Sequence, residues 1–114
     1  MKQLGDLEPQ IRVSIYNPKA DTHSMFSRGI AELCQGVRTL GSLNAAAKNM
    51  GMAYSKAWRI IKETESALGF QLLLRDGAHG STLTEEGNKI LDAYLELLKR
   101  LSLEADQIFE ELLS

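Results

Sequence analysis

Residues 41–62 constrain the fold of this 114-residue chain more than any other stretch, and they read GSLNAAAKNMGMAYSKAWRIIK. They predict two short helices joined by a tight turn. Ser42 is a good N-cap, because its hydroxyl can accept a hydrogen bond from an unpaired backbone N–H of the first turn. Three alanines at 45–47 favour a slender helix. Gly51 can end that helix because glycine adopts a positive φ at little cost.

The spacing of three small residues within this run indicates a helix-turn-helix. Ala47 lies four residues before Gly51, and Ala57 lies six residues after it. A helix-turn-helix needs a small residue where its two helices cross, a turn residue that bends the chain sharply, and an apolar residue on the second helix that faces back. An ordinary helical hairpin in a small bundle is the alternative, since it also favours alanine and glycine.

Polar side chains on the outward side of the second helix are the candidates for reading duplex DNA. At the N-terminal end of such a recognition helix, side chains can distinguish base pairs in the major groove by their donor and acceptor pattern. We predict this role for Tyr54, Ser55, Lys56 and Arg59. For Arg59, a bidentate contact to guanine and a contact to phosphate are equally good interpretations. Trp58 lies on the apolar side and is predicted to pack in the core.

Other residues of the same region are predicted to contact phosphates. Ser42 and Asn44 lie at a helix N-terminus, where backbone N–H groups and side chains can hold a phosphate. The positive charges predicted to neutralise phosphates belong to Lys48, Lys62 and Arg75.

Two elements are predicted before the helix-turn-helix. Residues 9–17 (PQIRVSIYN) alternate β-branched and polar residues, which is typical of a strand. Residues 26–40 predict an amphipathic supporting helix that Gly36 weakens and Gly41 ends, with Cys34 packed as a small apolar residue. The apolar stripe of this helix consists of Phe26, Ile30, Leu33, Val37 and Leu40.

Residues 71–75 and 81–83 predict a two-stranded hairpin directly after the helix-turn-helix. The tip between them, residues 76–80, reads DGAHG and is rich in residues that tight turns favour. A hairpin in this place is a wing, whose tip can reach phosphates or the minor groove beside the recognition helix. A solvated loop without DNA contacts is the alternative for each residue of the tip.

Residues 84–113 predict a long helix, with Thr84 as its cap and two glutamates in its first turn. Two sets of apolar residues recur every seven positions, the pattern of a helix that pairs with another helix. A stripe roughly 45 Å long is more than the rest of the chain can cover. We therefore predict pairing with a second copy, with folding back onto its own domain as the alternative. The predicted interface residues are Leu91, Tyr94, Leu98, Leu101, Ala105, Ile108 and Leu112.

The charges are distributed unevenly along the chain. Residues 42–82 carry five basic and three acidic side chains, whereas residues 83–114 carry three basic and eight acidic ones. A positive middle and a negative end suit a DNA-facing helix-turn-helix and a C-terminal helix that points away from DNA.

Signals of other protein classes are missing from the sequence. No apolar run approaches the roughly 20 residues that span a bilayer, the N-terminus does not resemble a secretory signal, and a single cysteine allows no internal disulfide. These features predict a cytoplasmic protein. His23 and His79 stand apart from other metal ligands, and no nucleophile or phosphate-loop motif occurs. We therefore predict no enzymatic activity, no metal, no cofactor and no small-molecule ligand.

The predicted fold class is mainly α with a small β wing: a winged helix-turn-helix with an N-terminal strand and a long C-terminal dimerisation helix. The chain divides into a flexible N-terminus at 1–8, a DNA-binding domain at 9–83 and the dimerisation helix at 84–114.

Residues 11–98 resemble the N-terminal DNA-binding domain of the ModE family of molybdate-responsive repressors and its single-domain relatives. The matching motifs are GSL at 41–43, AAAK at 45–48, MGM at 50–52, YSKAW at 54–58 and LTEEG at 83–87. The run AAAKNMGMAYSKAW is fairly specific to that family. The combination of AAAK with a later LTxxG is shared more loosely with LysR-type regulators, which usually add a long linker helix and a large effector domain.

The resemblance implies a winged-helix homodimer on a palindromic operator. It places Ser55, Lys56 and Arg59 on the recognition helix, and it implies wing contacts at His79, Ser81 and Thr82. Molybdate sensing is not carried over, because the molybdate-binding domains of ModE follow the matched region. Ala53 stands where serine would cap the recognition helix more strongly, so the start of that helix stays open.

We therefore expect a transcriptional regulator that binds double-stranded DNA as a homodimer. A protein-interaction module built on a winged helix and an architectural DNA-binding protein are the alternatives.

Overall fold

The computed structural model describes residues 4–76 and 80–114 and has a mainly helical fold with a two-stranded wing, as predicted. A turn of 3-10 helix, Leu4–Asp6, precedes the main elements. These elements are α1 (Arg28–Leu40), α2 (Leu43–Asn49), α3 (Tyr54–Leu68), β1 (Leu73–Asp76), β2 (Gly80–Leu83) and α4 (Glu85–Leu113). In the part of the chain that is described, no helix is both long and apolar enough to cross a membrane.

The supporting helix α1 contributes much of the core. The predicted apolar stripe is buried at four of its five positions, while Leu40 is 50% exposed at the end of the helix. Phe26 is fully buried just before α1 and meets the ring of Tyr94 edge-on, with the two centroids 5.6 Å apart.

Cys34 is fully buried within α1, in agreement with its predicted role as a small apolar residue. Burial is the main reason that the pKa of its thiol rises from 9.0 to about 12, and the Glu65 carboxylate adds to the rise while Arg38 opposes it. The thiol therefore stays protonated at neutral pH and is a poor nucleophile.

Gly36 lies where α1 crosses α2. A Cβ atom built on Gly36 would lie only 2.6 Å from the Cβ atom of Ala46, which is almost fully buried. Helix α1 runs unbroken through Gly36, so this glycine does not act mainly as a weak point of the helix. It allows the two helices to approach each other closely.

Substitution of Gly36 should destabilise the fold in spite of the higher helix propensity of alanine. We expect Gly36→Ala to lower the free energy of unfolding by about 1–3 kcal/mol, because the added methyl group overpacks the α1–α2 contact. Gly29→Ala is the matched control in the same helix, since a Cβ there would meet nothing within 4 Å. The control should stabilise the protein by up to about 1 kcal/mol.

Denaturant unfolding of the two variants measures the difference. The double variant Gly36→Ala with Ala46→Gly should recover part of the lost free energy. Equal effects of Gly36→Ala and Gly29→Ala would contradict the tight crossing.

The prediction of a strand at residues 9–17 is wrong, although the predicted alternation of inward and outward side chains is present. Ile11, Val13 and Ile15 are partly buried, while the polar residues between them are exposed. The segment pairs with the rest of the described chain only at Ile15 and Phe26, which exchange two backbone hydrogen bonds of 2.8 Å. Alternation selects the face that packs on the core, but a strand also needs a neighbour along its length, and none lies there.

The wing consists of β1 and β2, paired antiparallel with Leu73 opposite Leu83 and Arg75 opposite Ser81. Its base is tied to the domain on both sides. The backbone N–H of Thr84 donates to the carbonyl oxygen of Leu72 at 2.9 Å, and that of Ser81 donates to the carbonyl oxygen of Gly41 at 3.0 Å. The tip at 77–79 lies outside the described residues.

Helix α4 starts at the predicted cap. The hydroxyl oxygen of Thr84 accepts a hydrogen bond from the backbone N–H of Gly87 at 2.8 Å and donates to the carbonyl oxygen of Gln71 at 2.6 Å. Arg38 of α1 then holds the first turns of α4. Its guanidinium donates to the side-chain oxygen of Asn88 at 2.8 Å and to Asp92 at 2.9 Å.

Two residues predicted for the dimer interface belong to the core of the domain instead. Leu91 is fully buried and Tyr94 is 4% exposed, because this part of α4 packs on α1 and on Phe26. Both are therefore covered within one chain. The heptad pattern runs through α4 without a break because the same stripe that packs on the core continues beyond it.

Candidate nucleic-acid interface

Helices α2 and α3 pack through small residues, as their spacing predicted. Ala47 and Ala57 are 1% and 0% exposed, and Gly51 has a φ of 67° in the turn between the helices. The Ser42 hydroxyl accepts the backbone N–H of Ala45 at 3.0 Å, which confirms the predicted cap of α2. Ala53 occupies the N-cap position of α3 without a side-chain hydrogen bond, so α3 begins at Tyr54.

Helix α3 has one buried side and one exposed side. Ala57, Ile61 and Thr64 face the core. The predicted reading residues are all exposed, and they are Tyr54, Ser55, Lys56 and Arg59. They share the first two turns of the helix, so the geometry allows them to enter a groove together.

The residues at the start and along α2 that are predicted to contact phosphates differ in how accessible their side chains are. Asn44 and Lys48 are exposed. Ser42 is half-buried, and its hydroxyl oxygen already accepts the Ala45 N–H. Its O–H hydrogen is what it can still offer to a phosphate.

The residues of the wing that are predicted to contact DNA differ in exposure, and one of them lies outside the described part of the chain. Arg75 and Thr82 are exposed, but they lie on opposite faces of the hairpin, because Arg75 pairs with Ser81 and Thr82 pairs with Leu74. Ser81 is only 6% exposed, so its side chain has little accessible surface for the predicted DNA contact. Its backbone N–H also donates to the carbonyl oxygen of Gly41. His79 lies outside the described residues.

A cluster of basic and aromatic side chains joins α3 to the wing around Trp58. The Nζ atom of Lys62 lies 5.1 Å from the centroid of the Trp58 ring, and the guanidinium carbon of Arg75 lies 4.9 Å from it. The ring of Tyr54 meets Trp58 edge-on at 6.3 Å. Trp58 packs partly against the core, as predicted, and it also holds two cations at the surface.

The sequence predicted the core packing of Trp58 but not its contacts with two cations. The spacing of Tyr54, Trp58 and Lys62 at intervals of four places them side by side on one helix, and this signal was available. The approach of Arg75 from the wing depends on the tertiary structure.

Glu65 is the second residue that the sequence analysis missed. Its carboxylate is almost buried and accepts hydrogen bonds from the backbone N–H groups of Leu72 at 2.7 Å and Leu73 at 3.3 Å. The other carboxylate oxygen lies 3.3 Å from Nζ of Lys62. Position 65 follows Ala57 and Ile61 at intervals of four, so an acidic residue within an apolar stripe was the available signal.

Together these contacts form a basic surface in which the start of α3 and the wing are held at a fixed position relative to each other. The exposed start of α3 carries Lys56 and Arg59, and Glu65 ties α3 to the first residues of the wing that carries Arg75. Such a surface can contact base edges with the helix and phosphates with the flanking cations.

Comparisons with known proteins agree with this geometry. Residues 31–88, half of the chain, match the family model described as "Bacterial regulatory helix-turn-helix protein, lysR family". The solved structure of the CbnR_DBD-DNA complex is similar, with a TM-score of 0.56 and 26% sequence identity over 68% of this chain and 87% of that chain. No curated protein matches.

The matched residues begin in α1 and end in the first turn of α4, so they contain the whole helix-turn-helix and the wing. The chain therefore belongs to the lysR family of bacterial regulatory helix-turn-helix proteins and is a DNA-binding transcriptional regulator.

Proposed function

We propose that the protein recognises a specific, two-fold symmetric DNA site as a homodimer, with α3 in the major groove. The observation that carries this proposal is the exposure of Ser55, Lys56 and Arg59 at the start of α3, while Ala57 between them is buried. The similarity to the solved CbnR_DBD-DNA complex supports DNA binding by this fold. In a homodimer the two recognition helices would lie roughly 34 Å apart, one turn of DNA.

In this proposal the side chains divide between base contacts and phosphate contacts. Tyr54, Ser55, Lys56 and Arg59 contact base edges, with phosphate as the alternative partner of Arg59. The phosphate contacts come from Ser42, Asn44, Lys48, Lys62 and Arg75, and the wing adds His79 and Thr82.

The outer half of α4 is the proposed dimer interface. Among the described residues of α4, Tyr94 is the last that is buried. Beyond it the apolar stripe is exposed at Leu101 (44%), Ile108 (45%) and Leu112 (76%). Leu98 and Ala105 complete the stripe and are half-buried. Exposed apolar residues in heptad register are covered at low cost by a second copy of the same helix. Residues 84–114 thus serve as the dimerisation helix of the DNA-binding domain at 9–83.

Beyond the lysR family match, we propose that the chain is functionally a regulator of the ModE type. The support is the run AAAKNMGMAYSKAW at 45–58, which covers the turn and the start of the recognition helix. The proposal places the protein in the cytoplasm. It includes neither molybdate sensing nor another small-molecule ligand, cofactor or enzymatic activity.

Binding to a random pool of duplex DNA, measured across a salt series and followed by sequencing of the bound fraction, tests the proposal. We expect steep weakening of binding with salt and enrichment of a site with two-fold symmetry. Salt-sensitive binding without an enriched site would indicate an architectural protein. Absence of binding at low salt would contradict DNA recognition and favour a protein-interaction module.

A further inference from the structure

The cleft between α3 and β1 combines an aromatic floor with cations from both walls. It is lined by Trp58, Arg59 and Lys62 of α3 and by Leu73 and Arg75 of β1. No carboxylate lines it among the described residues. A cleft with converging positive charges and no competing negative lining favours an anion.

Trp58 is the residue that brings these charges together. Lys62 and Arg75 come from different elements, yet both lie within 5.1 Å of the centroid of the Trp58 ring. The indole N–H of Trp58 is buried and has no hydrogen-bond partner within the described part of the chain. The ring is therefore held by packing against the core, and its outer face is free to attract cations through its π electrons.

Lys62 and Arg75 differ in how firmly they are held. Lys62 is also paired with the almost buried carboxylate of Glu65, whose second oxygen is occupied by the backbone of the wing. Arg75 pairs with no carboxylate among the side chains that the structure describes, and it contacts the Trp58 ring. An exposed arginine on an aromatic face keeps its planar N–H donors available for an incoming phosphate.

We propose that Trp58 is a positioning residue that joins Lys62 of the recognition helix and Arg75 of the wing into one binding site for a single DNA phosphate. This inference rests on the proposed function, and it adds that the two cations act on the same phosphate. The phosphate lies in the cleft between helix and wing, and Trp58 sets the distance between the two charges.

The salt dependence of DNA binding tests whether the phosphate is shared. Each phosphate neutralised contributes about 0.9 to the slope of log K against log salt concentration. Lys62→Gln, Arg75→Gln and the double variant remove exposed side chains without changing the core. A shared phosphate predicts that the double variant loses about one unit of slope per bound subunit, while two independent phosphates predict a loss of about two. Arg100→Gln, an exposed change on α4, is the control and should leave the slope unchanged.

Variants at Trp58 test its positioning role. Trp58→Leu should weaken binding about three- to tenfold and lower the slope, because the cations lose the aromatic face. Trp58→Phe, which keeps an aromatic face, should retain most of the wild-type slope of log K against log salt concentration. Adding Arg75→Gln to Trp58→Leu should weaken binding by less than Arg75→Gln does alone, since the two changes disrupt one site.

The outcomes separate this inference from the proposed function. A loss of about two units in the Lys62 and Arg75 double variant, or multiplicative effects of Trp58→Leu and Arg75→Gln, would overturn the shared site while DNA recognition stands. A wild-type protein without salt-sensitive DNA binding would overturn the proposed function itself.

Discussion

Replacement of Arg59 by alanine should weaken binding to the enriched DNA site by roughly 30- to 20,000-fold. Arg59 is exposed in the second turn of α3, and the proposed homodimer presents it twice. A bidentate contact between arginine and guanine contributes about 1–3 kcal/mol per site, and each 1.4 kcal/mol corresponds to a factor of ten in affinity. Titration of wild-type and variant protein on the same labelled duplex at fixed salt measures the loss.

Arg59→Lys separates the two interpretations of this residue. Lysine keeps the charge but not the planar pair of donors that matches guanine. A guanine contact predicts that Arg59→Lys also loses affinity and relaxes the preference at one base position in each half-site. A phosphate contact predicts that lysine keeps most of the affinity and an unchanged site preference.

Arg100→Ala is the matched control for Arg59→Ala. Arg100 is also an exposed arginine, but it lies on α4, where it pairs with Glu96 at 2.8 Å. The control should bind DNA like the wild type. A similar loss in both variants, or no loss at Arg59, would contradict the role of the start of α3 in recognition.

Introduction of charge into the outer stripe of α4 should convert the proposed homodimer to a monomer. Leu101 and Ile108 lie one above the other on this stripe, and both are about 45% exposed in the single chain. In the double variant Leu101→Glu with Ile108→Glu, association would place four carboxylates in an apolar seam, which is strongly unfavourable. Because the two sites are no longer linked, affinity for a complete two-fold site should fall by about 100-fold or more.

Leu103→Glu is the control for this variant. Leu103 is 57% exposed on the same helix, but its position in the heptad places it on the opposite side from the stripe. The control should remain a dimer by analytical ultracentrifugation. Circular dichroism should show a folded domain in every variant, because neither Leu101 nor Ile108 is part of the core. A monomeric wild type, or dissociation by Leu103→Glu alone, would contradict the proposed interface.

The helices and the wing were predictable because their signals lie within a few residues of one another. Ser42 and Thr84 each accept a backbone N–H three residues ahead, and Gly41 and Gly51 adopt positive φ where their helices have ended. Such contacts depend on the local chain alone. The exposed side of α3 was predictable for the same reason, since helical periodicity separates its polar residues from Ala57 and Ile61.

The N-terminal segment shows where local signals are insufficient. Alternation correctly separated the inward Ile11, Val13 and Ile15 from the residues between them, but it carried no information about a neighbouring strand. The heptad pattern of α4 likewise did not tell which apolar residues the chain covers by itself. Only the position of Phe26 against Tyr94 assigns that part of the stripe to the core.

The sequence by itself thus determined the order of the elements, the ends of the helices and the residues that α3 exposes. The tertiary structure decided how successive elements pack against one another. It places Ala46 against Gly36, the Glu65 carboxylate on the backbone of the wing, and Arg75 beside Trp58. The partners of each contact belong to different elements, and they meet only because whole helices and strands pack together.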